Sequence, residues 1–407
     1  MINVAILGFG VVGGGVAAVL DRNAAAVSRA VGDDVRVKYI LDLREFPDSP
    51  YANRVVHDYD VILNDPEVTV VAETMGGAHP AFEFSIAAMQ AGKSVVTSNK
   101  EVVATFGIEL CKAARENGVS YLFEASVGGG IPLIRSIRTS LSGDVIDRID
   151  GIMNGTTNYI LTKMKEEGAD FASVLSDAQR LGYAEKNPSA DVDGIDTQRK
   201  ITILTALATG LLLRPEEVYA ETMTKITAED FRDAAAYGGT VKLIGSFRRR
   251  GSGIAAWVSP AVVKNDHPLA NVSDVYNAIS VSSPVTGDVM YYGRGAGRYP
   301  TAGAVVSDII AAASGAARYE AAADWQPAGK MALPFGEEVF SYLVRTKTDD
   351  PAGTLENARL AFGSAEKLTE TDGTLSFVTG AVCEREAAAI FASGAVGGVQ
   401  SRIRVLG

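Results

Sequence analysis

The chain has 407 residues, 49 of them Asp or Glu and 38 Lys or Arg, for a net charge of −11. About 150 residues per domain implies two or three domains, and an acidic chain without a Lys/Arg tract excludes nucleic acid as a partner. Two cysteines (Cys111, Cys383) and three scattered histidines (His57, His79, His267) exclude a disulfide scaffold, a four-cysteine zinc site and a histidine-rich metal site, and fit a reducing compartment.

The start, MINVAILGFG, lacks the basic segment and cleavage site of a signal peptide. Ile2–Leu7 is an apolar run ending in glycine, which predicts a buried strand. A helix follows from the glycine-rich turn to about Ser28. Strands are predicted at Val35–Leu41, Thr69–Glu73, Ser94–Thr97 and Val119–Glu124, with helices at His79–Ala91 and Val102–Asn117. This alternation predicts a parallel sheet with helices on both faces. The pattern changes at Gly128-Gly129-Gly130-Ile131-Pro132, where a domain boundary is expected.

The next region mixes helices (Asn158–Glu167, Phe171–Leu181, Asp196–Leu213) with strands (Val145–Met153, Ile254–Val263, Ala278–Val281), an α+β pattern. The apolar run Ile201–Leu213 is short of the about 20 residues of a membrane span. A cytoplasmic protein with no membrane segment is expected. A turn at Gly293–Gly297 leads to a helix from Thr301 to about Ala313, expected to return to the first domain. Asp324–Glu338, with two prolines and two glycines, reads as a linker. Beyond it come a strand (Phe340–Lys347), a helix (Thr354–Phe362), a strand pair about Asp372-Gly373 (Lys367–Glu370, Leu375–Val382), a helix (Glu384–Ser393) and a strand (Ser401–Leu406). This βαββαβ order is that of a ferredoxin-like unit. The expected domains are 1–130 with a return segment at about 301–322, 131–300, and 338–407.

Gly8-Phe9-Gly10-Val11-Val12-Gly13 lies between the first strand and its helix. Glycines there allow a tight turn and close approach to a pyrophosphate, with the helix N-terminus facing its charge. The acid ending the second strand should hold the ribose hydroxyls. Asp42 is that candidate and favours NAD, whereas Arg44 permits a 2′-phosphate and NADP. Lys100 ends Thr97-Ser98-Asn99-Lys100 at the carboxyl end of a strand, where ligands bind in open parallel sheets. Glu185, Asp191, Asp193, Asp196, Arg199 and Lys200 crowd one short segment. Asp196 and Lys200 share a helix face, and a partly desolvated lysine can exchange protons near neutrality.

These residues resemble the homoserine dehydrogenases over nearly the whole chain. The resemblance rests on GFGVVGGG (8–15), ETMGG (73–77), TSNK (97–100), FEASVGGGIP (123–132), GIMNGTTNYIL (151–161), GYAEKNPSADVDGIDTQRK (182–200) and GRGAGRYPTAGAVVSD (293–308). It implies NAD(P)-dependent interconversion of L-homoserine and L-aspartate 4-semialdehyde, in threonine and methionine biosynthesis. It implies Lys200 as proton donor, Asp196 orienting it, Glu185 and Asp191 on the substrate ammonium, and Lys100 near carbonyl and nicotinamide as the other candidate donor. Thr74 and Gly297 fall beside the cofactor.

The family also binds a monovalent cation, typically Na⁺, matched here by the Glu124 side chain and the carbonyls of Val127, Gly129 and Ile131. Residues 338–407 look like an ACT domain, a regulator responding to L-threonine or a pairing element in a homodimer or homotetramer. Ala352 interrupts that module's usual turn. A semialdehyde dehydrogenase forming an acyl-enzyme is excluded, because neither cysteine opens the second domain. The remaining alternative is an amino-acid sensor that keeps the fold without chemistry; Lys100, Glu185, Asp196 and Lys200 all argue against it.

Overall fold

The computed structural model describes residues 1–315, 324–371 and 373–407. The end of the expected return segment (316–322) and residue 372 of the expected hairpin turn lie outside the described residues. Contacts divide the chain into two units, one of residues 1–146, 202–215 and 283–328, the other of residues 147–201, 216–282 and 329–407. Among the described residues no helix is long and apolar enough to cross a membrane.

The first unit is built on six strands: β1 (Ile2–Leu7), β2 (Val35–Leu41), β3 (Val55–Val56), β4 (Val68–Glu73), β5 (Ser94–Thr97) and β6 (Tyr121–Leu122). All pair in parallel in the order β3-β2-β1-β4-β5-β6. The order reverses at β1, so a crevice opens beyond the carboxyl ends of β1 and β4. The expected first helix is two, α1 (Val11–Arg22) and α2 (Ala24–Val31), broken at Asn23. Valines and isoleucines of β1, β2 and β4 form the core with Val16, Leu20, Val305 and Ile309. Arg298–Ala313 is a helix that packs on α1; a Cβ on Gly15 would stand 2.9 Å from the Arg298 carbonyl oxygen.

The segment expected to be a linker carries the chain from the first unit to the second, at residues 328–329, and its start is packed. Trp325 is buried, its ring 2.5 Å from where a Gly107 Cβ would be, and Gln326–Pro327 pairs with Leu211–Leu212. Helix Lys100–Asn117 is kinked at Phe106, just before that contact. Four prolines and glycines signalled irregular backbone, but a large apolar ring requires cover.

The first unit extends beyond the expected boundary at residue 130. The buried Glu124 carboxylate accepts the N–H groups of Ile134 (3.0 Å) and Arg135 (2.7 Å), and Arg135 pairs with Asp308 at 2.9 Å. These bonds tie residues past the glycine run to the first unit.

In the second unit, β7 (Arg148–Ile152) lies between strands Tyr276–Ser283 and Gly239–Arg250. The sheet continues through Gly253–Lys264, Gly398–Val405, Tyr342–Lys347, Thr374–Thr379 and Ala365–Thr371. Gly239–Arg250 was not expected from sequence. It is buried over most of its length on both faces, so it lacks alternation. Lys242 donates to Asn158 and the Val272 carbonyl, Ser246 and Arg248 to Asp150.

The C-terminal residues have the β-α-β-β-α-β element order, with helices Pro351–Phe362 and Glu384–Ala392. Contacts group them with the second unit, and Tyr342, Val344, Leu355, Phe362 and Phe377 form a core of their own. Strand Gly398–Val405 continues the sheet through Ala261 and Val262. Arg345 reaches Asp230 (2.9 Å) and Asp233 (2.7 Å) on helix Ala228–Ala236. Arg404 joins Glu221 and Glu384 under the rings of Tyr219, Phe335 and Phe340.

Candidate functional site

The nucleotide side of the site belongs to the first unit. Gly8 has φ +87° and its N–H donates to the Leu41 carbonyl, so the chain turns sharply at the end of β1. A Cβ on Gly13 would lie 2.0 Å from the Gly8 carbonyl oxygen and 2.7 Å from Thr74 Oγ1. Only glycine lets α1 start this close to the strand. Gly10 caps α1 without a side chain, and a Cβ there would meet nothing of the protein. The first N–H groups of α1 have no side-chain cap, and Gly10 and Val11 are exposed. A close backbone approach and a helix N-terminus are what a pyrophosphate requires. Val12 is half-buried and Gly13 buried.

Asp42 follows β2, and its carboxylate accepts the Phe9 N–H at 2.8 Å. Arg44 binds the same carboxylate through Nε (3.0 Å) and Nη2 (2.9 Å). That guanidinium holds the Asp42 carboxyl well below the usual carboxylate range. The two candidates for cofactor choice are thus bound to each other. His57, not singled out from the sequence, has Nδ1 2.7 Å from the Asp42 carbonyl and Nε2 2.8 Å from Glu45. Thr74 Oγ1 donates to the Leu7 and Gly8 carbonyls, joining β4 to the glycine turn. Gly297 stands at the N-terminus of helix Arg298–Ala313 with φ 120°.

Glu73 and Asn99 organise the ends of β4 and β5. Glu73 is buried and accepts Met75 N–H (2.7 Å) and the Thr97 hydroxyl (2.5 Å). Burial pushes its pKa up to about 7. Asn99 donates to the Gly77 carbonyl and caps the helix that begins at Lys100. Lys100 is half-buried at that helix start.

The acid–lysine cluster belongs to the second unit. Helix Ile195–Thr209 places Asp196 and Lys200 on one face, both buried and paired at 2.8 Å. Lys200 Nζ also donates to the Met153 carbonyl at 2.7 Å. Asn154 Nδ2 donates to Asp191 Oδ1 (2.7 Å) and Asp196 Oδ2 (2.8 Å). Asp191, Asp196 and Lys200 are therefore brought together. Glu185 is exposed, with its backbone carbonyl accepting the Gln179 amide at 3.0 Å. Met153 and Asn154, which hold this cluster, lie within GIMNGTTNYIL, where the sequence alone assigns them no role. Their position at the end of β7, beside a helix start, is the signal that marks them.

Glu124 is buried, which raises its pKa, and the Ile131 carbonyl accepts the Leu133 N–H at 2.8 Å. Of the expected cation ligands Glu124, Val127, Gly129 and Ile131, the first and last line a cavity of about 430 Å³. A carboxylate and peptide carbonyls are hard oxygen donors, so this set fits a hard cation chemically. Among the described residues no group of three or more His, Cys, Asp or Glu could hold a metal ion.

Residues 132–310 match the family model for homoserine dehydrogenase, and residues 8–124 match the model for its NAD-binding domain. A homoserine dehydrogenase of Neisseria gonorrhoeae is 40% identical over 364 residues, covering 87% of this chain and 83% of that one. One from Pseudomonas aeruginosa is 43% identical, covering 76% of this chain and 71% of its own. A crystal structure of a homoserine dehydrogenase from Thiobacillus denitrificans superposes with TM-score 0.91 at 35% identity, covering 100% of this chain and 98% of that one. A hyperthermophilic archaeal homoserine dehydrogenase mutant in complex with NADPH gives TM-score 0.66 at 29% identity, covering 76% of this chain and 97% of its own. With this loop, this acid–lysine cluster and these relatives, the chain belongs to the homoserine dehydrogenase family.

Proposed function

We propose that this oxidoreductase interconverts L-homoserine and L-aspartate 4-semialdehyde, with Lys200 carrying the proton. The buried Lys200–Asp196 pair, anchored to the Met153 carbonyl, carries the reading. The loop Gly8–Gly13, with Thr74, Asp42, Arg44, Lys100 and Gly297, would hold NAD(P), and bound NAD(P) supplies or accepts the hydride.

In the reducing direction the carbonyl oxygen of the semialdehyde gains negative charge as its carbon receives hydride. Lys200 neutralises that charge by transferring a proton from Nζ to the oxygen. In the oxidising direction neutral Lys200 takes the hydroxyl proton. Asp196 and the Met153 carbonyl fix the direction in which Nζ points, so the lysine needs no reorientation at the moment of transfer. Glu185 and Asp191 hold the substrate ammonium. Lys100 binds near the carbonyl and is the second candidate donor.

Asp42 accepts ribose hydroxyls when NAD binds, and Arg44 leaves Asp42 to meet the 2′-phosphate of NADP. The Glu124 carboxylate with the Val127, Gly129 and Ile131 carbonyls would hold Na⁺. Residues 338–407 act as an ACT-like element, either responding to L-threonine or pairing copies in a homodimer or homotetramer.

The test is product identity. L-homoserine with oxidised cofactor is expected to give an aldehyde trapped as its hydrazone, and Lys200→Met to lose it. Equal turnover of L-serine would contradict a site built for the longer side chain.

A further inference from the structure

β7 is followed by Met153 and Asn154, and this dipeptide holds Asp191, Asp196 and Lys200. The Met153 carbonyl takes Lys200, and the Asn154 side chain takes both aspartates. Asn154 is buried, and its Oδ1 accepts the Thr157 N–H at 2.9 Å, capping helix Gly155–Glu167. That bond fixes which way the amide faces. An inverted amide would set its oxygen against two carboxylate oxygens and its NH2 against the Thr157 N–H.

The two carboxylate oxygens share one nitrogen, so they stand no further apart than those two hydrogen bonds laid end to end. Two carboxylates this near repel, and repulsion favours protonating one of them. Hydrogen bonds donated to a charged carboxylate favour the charged form. We infer that Asn154 is a positioning residue, a two-armed donor that keeps Asp191 and Asp196 both ionised and correctly spaced. Asp196 is then an anion able to hold Lys200 while Asp191 stays an anion for the substrate. Asn154 itself touches no reacting atom. The inference rests on reading Asp191, Asp196 and Lys200 as the substrate-side groups.

The experiment separates the cap from the bridge. Asn154→Ser keeps a side-chain oxygen for the Thr157 N–H, since serine caps helices about as well as asparagine, but removes both N–H donors. Asn154→Asp also keeps the cap and sets a third carboxylate against the other two. For L-homoserine oxidation, Asn154→Ser is expected to lower kcat/KM roughly 10- to 100-fold. The acidic limb of its pH profile should move to higher pH, with the melting temperature near wild type. Asn154→Asp should lower kcat/KM further and move that limb further.

Wild-type kcat/KM and pH profile in Asn154→Ser would overturn the inference and leave Asn154 a helix cap. A lower melting temperature with unchanged turnover would overturn it in the same way. Asp196→Asn is the control. If that variant keeps wild-type turnover, the reading of the site fails; if it is inactive while Asn154→Ser keeps wild-type kcat/KM and pH profile, this inference alone fails.

Discussion

Replacing Glu73 by Gln tests how the crevice beyond β4 and β5 is held. The Glu73 carboxyl is buried, and its oxygens accept Met75 N–H and the Thr97 hydroxyl, which together fasten the two strand ends. Burial moves its pKa from 4.5 to about 7. Between those two values the folded chain keeps the proton and the unfolded chain releases it. Stability therefore falls as pH rises through that window, and the loss is complete above about 7. A pKa displaced from 4.5 to about 7 corresponds to roughly 3 kcal/mol. Gln has nearly the same shape and no charge; its oxygen can accept Met75 N–H and its NH2 can donate to Thr97 Oγ1. Urea unfolding of both proteins at about pH 5 and about pH 8 reads the difference. Glu73→Gln should gain roughly 3 kcal/mol on wild type between the two pH values. The same pH dependence in both proteins would refute the reasoning.

Gly10→Ala should leave the melting temperature unchanged and raise the KM of the cofactor roughly tenfold, because the methyl meets no protein atom and occupies the approach to the loop. Gly13→Ala should also destabilise the fold, by about 2 kcal/mol, since its methyl collides with the Gly8 carbonyl; an unchanged melting temperature would contradict that contact. Arg44→Ala should raise the KM of NADPH roughly tenfold and that of NADH little, and equal changes for both would leave Arg44 only its bond to Asp42. Arg404→Met strands the half-buried carboxylates of Glu221 and Glu384 and should cost about 3 kcal/mol in urea unfolding, with a loss under about 0.5 kcal/mol counting against the buried network.

Much of the first unit was legible because strands such as β1 are buried over most of their length and appear as mostly apolar runs that end at a glycine, as INVAIL before Gly8 does. The nucleotide loop was legible for a related reason, because backbone contact demands glycine at fixed spacing. Gly239–Arg250 was not, since Lys242, Ser246 and Arg248 look like surface residues until Asn158 and Asp150 are seen to bury them. Trp325 was hidden by the prolines and glycines around it. Asp196 and Lys200 could be placed on one helix face by spacing alone. Asn154 could not be joined to them, because its partners Asp191 and Asp196 are 37 and 42 residues away and meet it only through the fold. Glu221, Glu384 and Arg404 are likewise distant in sequence, so the continuation of the sheet from Gly253–Lys264 into Gly398–Val405 was not legible.

The most direct test of the central claim is loss of nicotinamide absorbance with L-aspartate 4-semialdehyde, measured with NADH and with NADPH for wild type and Lys200→Met. The account predicts oxidation of at least one cofactor by wild type and a fall in kcat of roughly 100-fold or more in the variant. Unimpaired oxidation by Lys200→Met would move the proton to another group, Lys100 first. No oxidation of either cofactor by folded, cofactor-binding wild type would contradict the account outright.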